Sequence, residues 1–105
     1  MEQMREQIRP HVERALAYAR EKHGHDFASW HEAYGVLSEE VMEVRQELRM
    51  IEAAMGDLIH SIHDHDEAGM QEDLSVILRH AELAACEAIQ VAAVVLKAKG
   101  INGKA

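Results

Sequence analysis

Acidic and amide side chains recur at one-turn spacing in two parts of this sequence. Glu40 and Glu43 form one pair, and Glu87 and Gln90 form the other. Residues three apart share a face of an α-helix, so each pair can present two oxygen ligands on one side. If the two helices pack antiparallel, four such side chains converge, which suits a hard cation such as Mg²⁺ or Mn²⁺. Magnesium readily takes phosphate oxygens as further ligands, which favours a phosphate ester or anhydride as the substrate.

The position of these acids on a helical wheel strengthens the metal interpretation. Glu40 and Glu47 fall inside an apolar stripe, Glu43 falls at its edge, and Glu39 points away. A carboxylate on a core-facing stripe is costly unless a cation or a basic partner compensates it. The stripe consists of Ala33, Val36, Leu37, Val44, Leu48, Ile51, Met55, Leu58 and Ile62.

A second interpretation needs no metal. Glu87 and Gln90 can form a hydrogen-bonded polar pair that fixes the register of neighbouring helices. Acids spaced by three residues occur in most long helices, so spacing alone leaves both interpretations open.

Helical periodicity predicts the elements that must position these side chains. A first helix is predicted over residues 2 to about 22, with Pro10 either near its regular start or at a kink. A second is predicted over about 30–62. Its N-terminus carries a capping-box pattern, in which Ser29 caps the helix and Glu32 reaches back to the Ser29 amide.

The third helix is predicted over about 67–99, with Asp66 as a candidate cap. A break near Arg79-His80 and a bend at Gly56-Asp57 of the second helix are both compatible with the pattern. Gly24 is the expected stop of the first helix.

Composition predicts an all-α fold with a single domain over residues 1–105. The chain is rich in Ala, Glu, Met and Leu and has few aromatic residues. Between residues 83 and 96 the third helix is apolar almost all round, as expected of a core helix covered on several sides. A chain of 105 residues has limited core to offer, so we expect a bundle of three to four helices completed by homo-oligomerisation. Residues 100–105 are expected to form a frayed tail.

Charge and hydropathy exclude several classes of function. A net charge of −8 argues against binding to a nucleic-acid polymer, which requires a basic patch. No stretch approaches the ~20 apolar residues of a membrane span, and the N-terminus lacks an apolar signal core. The single cysteine, Cys86, lies among alanines and is expected to be buried in a reducing compartment. A cytoplasmic protein is therefore predicted.

The acidic residues also carry a family resemblance. The order Glu39-Glu40-x-x-Glu43, a long helical insert and then Glu87-x-x-Gln90 resembles the signature of the MazG-like all-alpha nucleoside triphosphate pyrophosphohydrolases. The approach FASWHEAYGVLSEEVMEV resembles that of the short, phage-type members, and AIQVAAVVL resembles their last core helix. The resemblance covers about residues 27–44 and 87–96.

The resemblance implies an activity and a set of roles. Such enzymes hydrolyse a nucleoside triphosphate to the monophosphate and pyrophosphate, using Mg²⁺ or Mn²⁺. By position, Glu40, Glu43 and Glu87 would be metal ligands. Glu39 would be a ligand or would orient one, and its wheel position favours the latter. Family members assemble as homodimers or homotetramers, with sites near subunit contacts.

This chain departs from the family pattern at Gln90, where the family has aspartate. A neutral amide can ligate magnesium but adds no charge, so a lower metal affinity is expected. Glu47 could substitute from the same stripe. Alternatively, the chain is a non-catalytic helical oligomerisation or nucleotide- and metal-binding module. The segment Met50–Glu72 is longer than expected for short members, which affects the base-facing part of any pocket, and the sequence does not specify the base.

Two further groups have a functional and a simpler interpretation. His60, His63 and His65, interleaved with acids, could bind a transition metal, but an exposed interhelical turn explains them as well. Lys97 and Lys99 could neutralise phosphates, but cations near a helix C-terminus commonly interact with the helix dipole.

Overall fold

The computed structural model describes residues 1–101 and consists of three helices. They are α1 (Glu2–His23), α2 (Trp30–His63) and α3 (Glu67–Lys99), and no strand occurs in the described residues. The predicted all-α class is confirmed. Among these residues, no helix combines the length and apolarity that crossing a bilayer requires.

The connection between α1 and α2 is fixed by short-range hydrogen bonds. Gly24 follows the last residue of α1 and caps the helix. Its φ of 93° is readily reached only by a residue without a Cβ. The Gly24 N–H donates to the Arg20 carbonyl at 3.0 Å. At the start of α2, the Glu32 N–H donates to Ser29 Oγ at 3.2 Å. The expected reciprocal bond is displaced by one residue, because Glu32 Oε1 accepts the N–H of Ala28 at 3.3 Å.

The helices are more regular than the sequence suggested. α1 begins at Glu2 and includes Pro10, so the proline does not mark the start of the helix. α2 continues through Gly56 and α3 continues through His80 without a break. One glycine costs a helix interior only about 1 kcal/mol, which the flanking turns outweigh in a helix of this length.

The chain divides into two compact units. The first combines Met1–Val41 with the chain from Glu87 onward, and the second is Met42–Cys86. The first unit therefore contains all of α1, the beginning of α2 and the end of α3. The second contains the remainder of α2 and α3 with the turn that joins them.

The first unit has a small core around one aromatic ring. Phe27, Ala33 and Ile101 are buried together, and Val36, Val94 and Ala98 pack against them. Ile101 is only 6 % exposed, although the sequence analysis placed it in a frayed tail. Its apolar side chain is held by the Phe27 cluster. The remaining tail residues, 102–105, lie outside the described residues.

Two polar contacts join the helix segments of the second unit. Ser61 Oγ donates to Asp73 Oδ2 at 2.8 Å, and His80 Nδ1 lies 2.6 Å from Glu47 Oε2. Asp66 caps α3 as predicted, since its Oδ1 accepts the N–H of Gly69 at 3.0 Å.

The second unit also leaves large apolar side chains in contact with solvent. α2 exposes three residues of the predicted apolar stripe and also Ile59, and α3 exposes two leucines. They are Leu48, Met55, Ile59 and Ile62 on α2, and Leu74 and Leu78 on α3, with exposed fractions between 45 % and 62 %. We call these six residues the exposed apolar set.

The predicted core helix at residues 83–96 is only partly covered. Ala93 is buried there, but Val95 is 39 % exposed. Cys86 is also exposed, so the prediction of a buried cysteine is wrong. Its alanine-rich surroundings do indicate small side chains, but no other part of the described chain covers that face.

Candidate metal centre and adjacent cleft

Two of the predicted acids meet within the first unit. Glu40, on α2, and Glu87, on α3, are both half-buried, and a carboxylate oxygen of one lies within 4.8 Å of a carboxylate oxygen of the other. The Oε2 atom of Glu40 is shielded from solvent. The wheel position that placed Glu40 within the apolar stripe thus corresponds to a shielded carboxylate oxygen.

Glu43 continues this acidic surface along α2. It follows Glu40 by one turn of the same uninterrupted helix. Unlike Glu40, Glu43 is exposed to solvent. The i, i+3 spacing is sufficient to place these two carboxylates side by side.

The donor chemistry of these acids fits a hard divalent cation. Oxygen ligands at about 2.1 Å from a common magnesium ion lie up to about 4.2 Å from one another. Carboxylate oxygens within 4.8 Å therefore need only small side-chain rotations to share an ion. Ionised carboxylates this close repel each other by a few kcal/mol at an effective dielectric constant of about 20, and a divalent cation removes that repulsion.

A cleft of about 420 Å³ adjoins Glu40 in the first unit. Glu39, Glu40 and Gln90 line it near the acids, and Phe27 and Lys97 line it further along. Its other lining residues are Tyr18, Ala19, His23, Glu32, Val36, Ala93 and Val94. The volume lies within the range of about 300–1,000 Å³ that is typical of small-molecule sites.

Gln90 and Glu39 both line the cleft that adjoins Glu40. Gln90 lies one turn beyond Glu87 on α3, is exposed, and lines the cleft. Glu39 is also exposed and lines the same cleft. Both side chains are therefore accessible to a ligand bound there.

Glu47, the suggested substitute ligand, has another partner. Its Oε2 lies 2.6 Å from His80 Nδ1, and both side chains are largely shielded, at 21 % and 17 % exposure. The carboxylate accepts a hydrogen bond from the imidazole, which compensates its burial. A basic partner, His80, thus compensates the burial of Glu47. The sequence analysis gave a basic partner as the alternative to a bound cation.

The histidine-rich turn shows no comparable arrangement. His60, His63 and His65 are all exposed. Within residues 1–101, no group of three or more potential ligands with metal-compatible spacing includes any of them. His60 and His63 lie in the last turn of α2 and His65 lies in the turn that follows, and solvent exposure is sufficient to explain all three.

Comparisons with known proteins add no assignment. No family model matched the chain, and comparisons with curated proteins and with solved structures gave no match. The MazG-like resemblance therefore stays a prediction based on the residues of the acidic motif.

The sequence pattern did not predict that Lys97 is buried at the wall of the cleft. The lysine is only 5 % exposed, and its Nζ lies 4.4 Å from the centroid of the Phe27 ring. Its position near the end of α3 suggested a partner for the helix dipole. One signal in the sequence does point to the cleft: Glu87, Gln90 and Lys97 share one face of α3, at intervals of three and seven residues.

Proposed function

We propose that the chain is a nucleoside triphosphate pyrophosphohydrolase that depends on Mg²⁺ or Mn²⁺. The observation that carries the proposal is the approach of Glu40 and Glu87, from two different helices, at the edge of a cleft of ligand size. The MazG-like resemblance of the same residues supplies the reaction class. Water attacks the α-phosphorus, the bond to the bridging oxygen breaks, and pyrophosphate leaves.

The acids have distinct roles in this proposal. Glu40, Glu43 and Glu87 would hold the cation, which when bound would polarise the phosphate oxygens and lower the pKa of a water molecule. Glu39, which is exposed in the cleft, accepts a proton from the attacking water. Gln90 contributes a neutral amide oxygen, so the site carries one negative charge fewer than the family pattern.

We infer that the chain works as a homodimer or homotetramer. The exposed apolar set of the second unit supports this, because burying the exposed half of one such side chain contributes about 1 kcal/mol. Six of them lie on one unit, and a further copy that covers them would remove their apolar area from water. The exposed thiol of Cys86 is compatible with a cytoplasmic location, where it stays reduced.

Hydrolysis is tested by incubating the folded protein with each nucleoside triphosphate and Mg²⁺ or Mn²⁺ and measuring released pyrophosphate. Glu87→Gln should lower the rate by about 100-fold or more, because each 1.4 kcal/mol of lost stabilisation costs a factor of ten. Glu82→Gln, which changes an exposed acid on the same helix, is the matched control. No pyrophosphate from any nucleotide, in protein with an intact helical circular-dichroism spectrum, would refute the enzymatic proposal.

Gln90 favours a second candidate function, a module that binds metal or nucleotide, or that oligomerises, without turnover. The missing carboxylate weakens the hold on the cation while leaving the cleft intact. Gln90→Asp separates the two candidates. If wild-type protein binds Mn²⁺ without hydrolysis and the variant hydrolyses, the natural chain is a degenerate binding module.

A further inference from the structure

The cleft contains the one charged side chain that is buried among residues 1–101. Lys97 is 5 % exposed, yet it lines the cleft, with its amine over the Phe27 ring. Burying an ammonium group is costly, and an aromatic face returns only about 1–2 kcal/mol of that cost. A buried lysine at the wall of a cleft is therefore positioned to donate hydrogen bonds to a ligand.

The helix geometry places Lys97 at the end of the cleft away from the acids. Ten residues separate Glu87 from Lys97, which corresponds to about 15 Å along the axis of α3. Side chains on a helix lean toward its N-terminus, so the amine returns part of this distance toward Gln90. A ligand whose phosphates lie at the acids must extend roughly 10 Å through the cleft to meet the lysine.

Three apolar residues line the cleft between these two ends, and the lining also includes Tyr18, His23 and Glu32. Val36, Ala93 and Val94 line the cleft between the acidic end and the Phe27 ring. This composition suits the flat, weakly polar face of a nucleobase and is unsuited to further phosphate groups. The phosphates of a bound nucleotide therefore belong at the acids, and the base belongs near Phe27 and Lys97.

We propose that Lys97 reads the base of the nucleotide by donating a hydrogen bond to a ring carbonyl oxygen. This inference rests on the proposed function for the class of ligand. Guanine, cytosine, uracil and thymine present carbonyl oxygens, whereas adenine presents none. The chain accordingly prefers nucleotides with carbonyl-bearing bases and discriminates against ATP. A charged donor that meets a buried acceptor gives a preference of about 10-fold to 100-fold.

The test measures the affinity of wild-type protein and variants by calorimetry with Mn²⁺ for inorganic triphosphate and for the α,β-methylene analogues of GTP, CTP, UTP and ATP, which cannot be cleaved between the α and β phosphates. Lys97→Met keeps the apolar stem against Phe27 and removes the donor. It should weaken binding of the analogues with carbonyl-bearing bases by about 10-fold or more and leave the ATP analogue and inorganic triphosphate within about threefold of wild type. Lys97→Arg should restore most of the preference. Lys99→Met, which changes an exposed lysine two residues on, should change nothing.

The outcomes separate the two proposals. A Lys97-dependent preference without pyrophosphate release supports base reading and refutes hydrolysis. An equal loss for all ligands, inorganic triphosphate included, shows that Lys97 contacts phosphate and overturns the base-reading proposal. An unchanged preference in Lys97→Met also overturns it. If no nucleotide binds to folded wild-type protein, both proposals fail.

Discussion

Glu40 and Glu47 occupy equivalent positions on one helix and have different surroundings. They are seven residues apart on α2, so both face the side of its apolar stripe. In the first unit α3 presents another carboxylate, Glu87, to Glu40. In the second unit α3 presents an imidazole, His80, to Glu47 at 2.6 Å. The position of an acid in an apolar stripe therefore does not determine its role. The residue on the facing helix determines whether the acid forms a hydrogen-bonded pair or can hold a cation.

The same difference distinguishes the two units more generally. The first has a small apolar core and a cleft lined by acids, an amide and a buried lysine. The second connects its helix segments by the pairs Ser61–Asp73 and Glu47–His80. Both units expose large apolar side chains. The first unit therefore has the features of a ligand site, and the exposed apolar set of the second unit is the surface that we propose for assembly.

The largest expected effect is on Mn²⁺ affinity, when each of the two stripe acids is replaced in turn. Glu40→Gln should weaken Mn²⁺ binding by about 100-fold, since it removes a charged ligand worth about 2.7 kcal/mol. Glu47→Gln should change the affinity by less than about threefold, because an amide oxygen can still accept the His80 hydrogen bond. Titration of each variant with Mn²⁺, followed by electron paramagnetic resonance, measures both. Equal losses in the two variants would contradict the assignment of distinct roles.

A second variant gives Glu47 the kind of partner that Glu40 has, a carboxylate on α3. His80→Glu places a carboxylate against Glu47, so in the absence of metal the free energy of unfolding should fall by about 2 kcal/mol. Added Mn²⁺ should restore part of this loss, because it can bridge the new pair. Urea denaturation with and without Mn²⁺ is the measurement.

His60→Glu provides the control for that experiment. His60 is an exposed residue of α2, so the same change of side chain there should alter stability by less than about 0.5 kcal/mol. If His80→Glu behaves like this control, the Glu47–His80 pair contributes nothing to the second unit.

The smallest expected effect concerns assembly. Leu78, at 62 % exposure, belongs to the exposed apolar set of the second unit. Leu78→Gln should weaken self-association by about 10-fold, which corresponds to about 1.4 kcal/mol of lost apolar burial. Tyr34→Gln, in the first unit and 73 % exposed, should leave the association constant unchanged. Sedimentation equilibrium measures both, and the reverse order would move the assembly surface to the first unit.

Helix formation in this protein follows from local sequence. The stops and caps at Gly24, Ser29 and Asp66 lie at the helix ends, because each acts through hydrogen bonds to residues a few positions away. The placement of Glu40 beside Glu43 is equally local, since one helical turn fixes it. The sequence by itself therefore determined the all-α class, the approximate helix bounds and the acidic pair of α2.

Contacts between helices needed the tertiary structure. Glu40 lies opposite Glu87, and Glu47 lies opposite His80. These pairings depend on how α2 and α3 are staggered along their axes. Burial of Lys97 and exposure of Cys86 depend on which faces other elements cover. Periodicity fixes the direction of a side chain relative to its own helix axis, but it does not determine what lies opposite.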